Sequence, residues 1–315
     1  MTTVAGLRLL LTPEGQALLA ALPPYDPESA ERIAQGLAGD VDPELLAAAL
    51  SQQRLRREAE AKLGDFAHTM LFSEAGLRAA THLGVAAHHA RRFRDAGITR
   101  VFDLGCGLGV DSLALAALGL EVVAVERDEA TAALALYNLR AFPDATVVHG
   151  DAFDVVREGV GQDDGVYADL GLPLDALPAL RARVPAVGLT VSPALPHGSL
   201  PHDAHAQWVS VGGDVVEAGL WFGSLADGPG RSALVLRGGR HATLEITDDP
   251  RSAATAPSVG PLRRFLIEPD PAVVQAGGVA VLAEMIDGAA ISGESALLTS
   301  DVPYEGPFGE TCEAG

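Results

Sequence analysis

The stretch FDLGCGLGVD, residues 102–111, sets glycines at alternate positions, Gly105, Gly107 and Gly109, directly after a short apolar run. Such glycines in a strand-to-helix turn let backbone amides approach a small ligand at the carboxyl end of a sheet. A nucleotide pyrophosphate calls for G-x-G-x-x-G, and the last glycine of that pattern falls here on Val110. Asp103, two residues ahead of the turn, sets a negative charge where a pyrophosphate would lie. That charge suits a cation instead. Glu126 follows Gly105 by 21 residues and ends VVAVE, where a carboxylate accepts from both hydroxyls of a ribose. Asp151 ends VVHGD, in reach of an adenine amino group, and Phe153 follows it to cover the ring. Asp169 ends VYAD. Acids at successive strand ends are a more specific signal than the glycines alone.

The elements that must carry these residues are legible from pattern. TRVFDLG, LEVVAVE, ATVVHGD, DGVYADL and AVGLTVS read as apolar strands, with helices over GVDSLALAALG and DEATAALALYNLRAF. Strand-helix alternation with near-continuous apolar strands predicts a parallel sheet covered on both faces. QWVSV and EAGLWFG predict a hairpin with an antiparallel edge, and GRSALVLRGGRHATLEI a second hairpin with a Gly-Gly turn. Upstream, Thr12-Pro13, Asp26-Pro27 and Asp42-Pro43 each set a capping side chain before a proline suited to the first helical position. The third opens a long helix that Gly64 ends; another starts near Ser73, and GVAAHHARRFRDAG closes the region. The expected organisation is a helical N-terminal domain over 1–97, a ligand-binding sheet domain over 98–248 ending in the hairpin, and a linker, one helix and a frayed acidic tail over 249–315.

The 315 residues allow about two domains, and 48% hydrophobic with 20% charged is an ordinary globular composition. No apolar run reaches the roughly 18 residues of a membrane helix. The interrupted start LRLLLTPEGQALLAAL is wrong for a signal peptide, and two cysteines make no disulfide framework. A cytoplasmic location without membrane partner is expected. The net charge of -20 argues against broad binding to phosphate backbones. Its distribution is uneven: residues 1–100 carry 11 basic and 12 acidic side chains, residues 241–315 carry 3 and 12. The arginine clusters Arg54, Arg56, Arg57 and Arg91, Arg92, Arg94 read either as exposed helix decoration or as contacts to a nucleic acid. His197, His202, Asp203 and His205 have irregular spacing in a Pro- and Gly-rich loop, so no metal is expected. His88 and His89 read as a solvated helix face, Asp111 as a first-turn acid favouring the helix dipole, and Trp208 and Trp221 as core.

S-adenosylmethionine, which brings an ammonium and a sulfonium and no phosphate, fits D-x-G-x-G-x-G better than a dinucleotide does. Here the chain resembles the class I S-adenosylmethionine-dependent methyltransferases, and within them the bacterial group with a THUMP-like domain at the C-terminus. The resemblance covers most of the chain: LLTPEGQALLAAL, KLGDFAHTMLFSEAGLRAATHLGVAAHHARRF, FDLGCGLGVDSLALA, VVAVERD, LPHGSLP, QWVSVGGDVVEAGLWFG and EPDPAVVQAG. It implies an α/β fold, a Rossmann-like seven-stranded methyltransferase sheet with a helical N-terminal domain. It implies that Asp103, Gly105, Gly107, Glu126 and Asp151 line the cofactor, that Thr81 touches it, and that the substrate is RNA. Two departures stand out. Relatives end the fourth strand in Asp-Pro; this chain reads YADLGLPL, which keeps Asp169 as candidate catalytic residue but loses the proline. The THUMP-like domain is expected to be truncated or absent, since the sequence stops at Gly315 soon after the linker helix. The alternatives are a cofactor-binding protein with lost or weak catalysis and a small-molecule methyltransferase.

Overall fold

A computed structural model describes residues 3–168, 177–246 and 249–314 of the chain. The chain divides into two compact units, Met1–Tyr167 and Ala168–Gly315.

The first unit opens with helices α1 (Val4–Leu10), α2 (Pro13–Ala21), α3 (Pro27–Leu37), α4 (Pro43–Leu63), α5 (Glu74–Ala79) and α6 (Leu83–Asp95). The capping signals act as expected. Thr12 accepts from the Gly15 amide, Asp26 from Glu28, Asp42 from Glu44 and Leu45, and Ser73 from Gly76. Each satisfies an amide that the first helical turn leaves unpaired. Gly64, at φ +55, ends α4. The long α4 is the spine, with α1, α2 and α3 packed along it.

Then come β1 (Arg100–Leu104), α7 (Val110–Ala117), β2 (Glu121–Glu126), α8 (Glu129–Asn138), β3 (Ala145–His149), α9 (Ala152–Gly159) and β4 (Gly165–Ala168). The strand order is β3-β2-β1-β4, with β1, β2 and β3 parallel. β1, β2 and β4 are apolar and buried through Val101, Phe102, Val122, Ala124 and Val166. The helix α9 was not anticipated: its eight residues are short, and Asp151, its N-cap, reads in sequence as a ligand group. At the amino end of these strands Arg100 binds Asp164 by two bonds of 2.8 Å.

The second unit contains α10 (Leu177–Arg181), β5 (Ala186–Val191), β6 (His205–Val211), β7 (Asp214–Phe222), β8 (Gly230–Arg237) and β9 (Arg240–Ile246). Their order is β5-β7-β6-β8-β9. β7 runs antiparallel to β5 and β6, β8 parallel to β6, and β9 antiparallel to β8. The seven expected strands, β1 to β7, are therefore present, and the β8–β9 hairpin follows them. Gly238 and Gly239, both at positive φ, make its turn as expected. The edge of this order is β9, and not the β6–β7 hairpin as expected, because β8 pairs along the full length of β6. Trp208 and Trp221 are core residues.

Residues 249–314 hold more structure than a linker, one helix and a frayed tail. β10 (Phe265–Pro269), α11 (Pro271–Ala276), α12 (Val279–Met285), β11 (Ala289–Ala290), β12 (Leu298–Ser300) and β13 (Gly309–Glu313) follow. An antiparallel sheet orders them β11-β12-β10-β13. Gly277, left-handed at φ +77, closes α11 and splits the expected helix in two. The acidic tail is a strand because it pairs with β10, an energy that local composition does not display. α11 packs on β6, β7 and β8.

Candidate functional site

At the carboxyl end of β1 the chain turns on Gly105, Gly107 and Gly109, at φ +84, +56 and +82. Few side chains tolerate that region. The amides of Gly105 and Cys106 both donate to the Val125 carbonyl, at 2.8 and 3.0 Å, which fastens the turn to β2. Gly109 then starts α7 with no side-chain cap. The glycines differ in their surroundings. A Cβ on Gly105 or Gly107 would meet no atom within 4 Å, whereas one on Gly109 would lie 3.3 Å from Leu139 Cδ1. Gly105 and Gly107 border open space, and Gly109 serves packing.

The strand register brings the acids to one edge: Asp103 pairs with Ala124 and Glu126 with His149, and Asp151 follows two residues later. Glu126 reaches back to the turn, accepting from the Gly107 amide at 3.2 Å and the Asp128 amide at 2.9 Å. Asp103 is 1% exposed and accepts a 2.5 Å bond from the Ser112 hydroxyl in α7, so it braces the turn from below. Asp151 Oδ1 accepts from the Phe153 amide at 2.8 Å, and Phe153 is 48% exposed on the first turn of α9. Burial pushes the Cys106 thiol well above its ordinary value, and the Asp103 and Glu126 carboxylates push it further. The thiol stays protonated, in a field that is negative. Thr81 is half-buried between α5 and α6. Asp169, the candidate catalytic residue, lies outside the described residues.

Sequence reasoning missed a buried pair beside the turn. His89, read as a solvated face, is 4% exposed, and its Nδ1 lies 2.9 Å from Asp111 Oδ1. An ionised carboxylate only accepts, so Nδ1 carries the hydrogen. The His89 ring sits 5.0 Å from that of Tyr167, at the end of β4. Helical spacing held the signal: His89 shares a face with Val85, Ala86 and Phe93, all buried.

The six arginines divide. Arg54 bridges Glu58 at 2.6 Å and Glu74 at 2.8 Å, and Arg56 donates to the Met70 carbonyl at 3.0 Å. Arg92 is half-buried; Arg57, Arg91 and Arg94 are exposed, with Arg94 paired to Asp95. Of the histidine loop, Asp203 takes a two-bond Arg181 pair, His205 bonds Ser232 Oγ, and His197 bonds the Gln275 carbonyl. Among the described residues no group of His, Cys, Asp and Glu could hold a metal, and no helix is long and apolar enough to cross a membrane.

A domain of unknown function (DUF8688) matches residues 3–59. No curated protein matches the chain. Among solved structures, one described as a "putative methyltransferase" from Porphyromonas gingivalis W83 superposes with a TM-score of 0.72 at 21% identity, covering 92% of this chain and 83% of that one. A precorrin-6y C5,15-methyltransferase from Geobacter metallireducens GS-15 gives 0.34 at 19% identity over 39% of this chain and 67% of its own. One described as a "putative RNA methyltransferase" from Pyrococcus horikoshii gives 0.37 at 20% identity, over 54% of this chain and 96% of its own. The first of these carries the structural comparison. The chain has the α/β, Rossmann-like methyltransferase fold.

Proposed function

We propose that this protein is an S-adenosylmethionine-dependent methyltransferase acting on RNA in the cytoplasm. The observation that carries the reading is the turn of Gly105 and Gly107 bordering open space, with the Glu126 carboxylate bound to its Gly107 amide. The donor set fits this cofactor: acids at the edge favour an ammonium and a sulfonium, and the positive φ values let the backbone come close. Glu126 is the ribose acceptor, Asp151 and Phe153 serve the adenine, Thr81 touches the ligand, and Asp103 holds the turn and supplies negative field. Bound there, the cofactor supplies a methyl group on an already activated leaving group. The chain's task is then to align donor and acceptor and exclude water. Asp169 is proposed to accept a hydrogen bond from the acceptor's N–H. RNA as substrate rests on the resemblance of the sequence to the THUMP-bearing group and on the exposed Arg57, Arg91 and Arg94. A small-molecule acceptor is the second reading, favoured by the internal engagement of Arg54 and Arg56.

Calorimetry tests the cofactor half. S-adenosylhomocysteine should bind the wild type, and Glu126→Ala should lose at least about tenfold in affinity, or roughly 1.4 kcal/mol. Tight NADH binding, or an unchanged affinity in the variant, would contradict the assignment.

A further inference from the structure

The end of α8 and the two residues after it, YNLR 137–140, reach in three directions. The Tyr137 hydroxyl donates to Gln16 Oε1 in α2 at 2.5 Å. Arg140 donates to the Thr69 carbonyl at 3.2 Å, with its guanidinium 3.8 Å over the Tyr137 ring. Between them, Asn138 is buried. Its Oδ1 accepts from the Leu71 amide at 2.8 Å, and its Nδ2 donates to the carbonyls of Leu71 at 3.1 Å and Leu108 at 3.0 Å.

Leu108 is the residue between Gly107 and Gly109. Its side chain packs on α5, close enough that a Cβ on Gly76 would lie 2.8 Å from Leu108 Cγ. Segment 70–72 belongs to no sheet, and side chains satisfy its backbone instead, the Arg56 guanidinium serving Met70 and two carboxamides the next two residues. Asn138 serves Leu71, and Gln52 of α4 serves Phe72 by accepting from its amide at 2.9 Å and donating to its carbonyl at 2.6 Å. Without charge, a carboxamide alone offers two N–H donors beside an oxygen acceptor, and Asn138 uses all three. A carboxylate at 138 would set its oxygen against the two carbonyls that Nδ2 now serves, and an apolar side chain would orphan three buried groups.

We infer that Asn138 is a positioning residue for the glycine turn. It fixes the Leu108 carbonyl, and with it the conformation of Gly107 and Gly109, to the segment that runs through Ser73 and α5 toward Thr81. Its effect on a ligand rests on the cofactor reading of that turn. Order in the helical region is thereby coupled to order in the turn.

Two isosteric variants separate positioning from mere stability. Asn138→Asp and Gln52→Glu each keep the acceptor and lose the donor, but only the first touches the turn. Amide hydrogen exchange over residues 105–111 of the unliganded protein should quicken in Asn138→Asp and stay at the wild-type rate in Gln52→Glu. S-adenosylhomocysteine affinity should fall at least about tenfold in the first and by less than about threefold in the second. Asn138→Ala, which removes the bonds without adding a charge, should show the same split if the acid variant does not fold. Equal losses in both positions, or wild-type exchange in the Asn138 variants, would overturn the inference. A wild type that binds no S-adenosylhomocysteine while Asn138→Asp still speeds exchange would remove the cofactor reading and leave the positioning role standing.

Discussion

Two glycines of the same turn, both left-handed, are asked to do different things. Gly105 faces open space and Gly109 faces Leu139. An alanine at either position pays the left-handed backbone cost, on the order of 1–2 kcal/mol. Gly109→Ala also brings its methyl to 3.3 Å from Leu139 Cδ1, which has to give way, so it should melt lower than Gly105→Ala. On the proposed cofactor reading, Gly105→Ala should lose the more S-adenosylhomocysteine affinity, by about tenfold, because its methyl would enter the open space assigned to the ligand. Thermal melts and calorimetry on the pair check this, and the reverse order in either measurement would contradict it. The spacing of the turn and its acids was legible in sequence because each acid lies at or just past the carboxyl end of an apolar strand. What each acid bonds was not. Asp103 turns to Ser112 and Asp151 caps α9, and both partners depend on where a helix starts rather than on residue type. His89 misled for a related reason: two adjacent histidines beside arginines look solvated, and only the helical face separates His88 from the buried His89.

The elements were most legible where local chemistry dictates them. Pro preceded by Thr or Asp marks a helix start whatever surrounds it, and all three such starts are observed. The short strands β11 to β13 were illegible because two to five residues gain their stability from partners distant in sequence. One element-level contact offers a test far from the turn. Burial alone would raise the Asp164 carboxyl, but its two Arg100 bonds, the Gly161 amide and the guanidinium charge outweigh burial and hold it below 3.8. A carboxyl depressed in the folded state contributes stability that is present above its unfolded value and lost as pH falls through the folded one. Asp164→Asn should therefore destabilise at pH 7 by about 1.5 kcal/mol, toward the low end because Arg100 is one-third exposed. In urea melts the difference between variant and wild type should shrink as the pH drops below 3.8. A difference that stays constant down to pH 2 would show that the ion pair is not its source.

For the whole molecule, the charge of -20 opposes phosphate binding, and on the proposed RNA reading the arginine clusters of the first unit would have to meet the acceptor. With Arg54 and Arg56 engaged internally, the exposed members of the two clusters are Arg57, Arg91 and Arg94, the last of them paired with Asp95. RNA should bind weakly and with steep salt dependence, and replacing these three by alanine should flatten the slope of log affinity against log salt by about two. An unaltered slope in filter binding would remove them from the interface. The most direct measurement of the central claim is transfer itself. Wild-type protein incubated with methyl-labelled S-adenosylmethionine and total cellular RNA should place label in an RNA fraction, and Asp169→Ala should lower that turnover while leaving cofactor affinity unchanged. Label appearing in no RNA, from a protein that binds the cofactor tightly, would contradict the account.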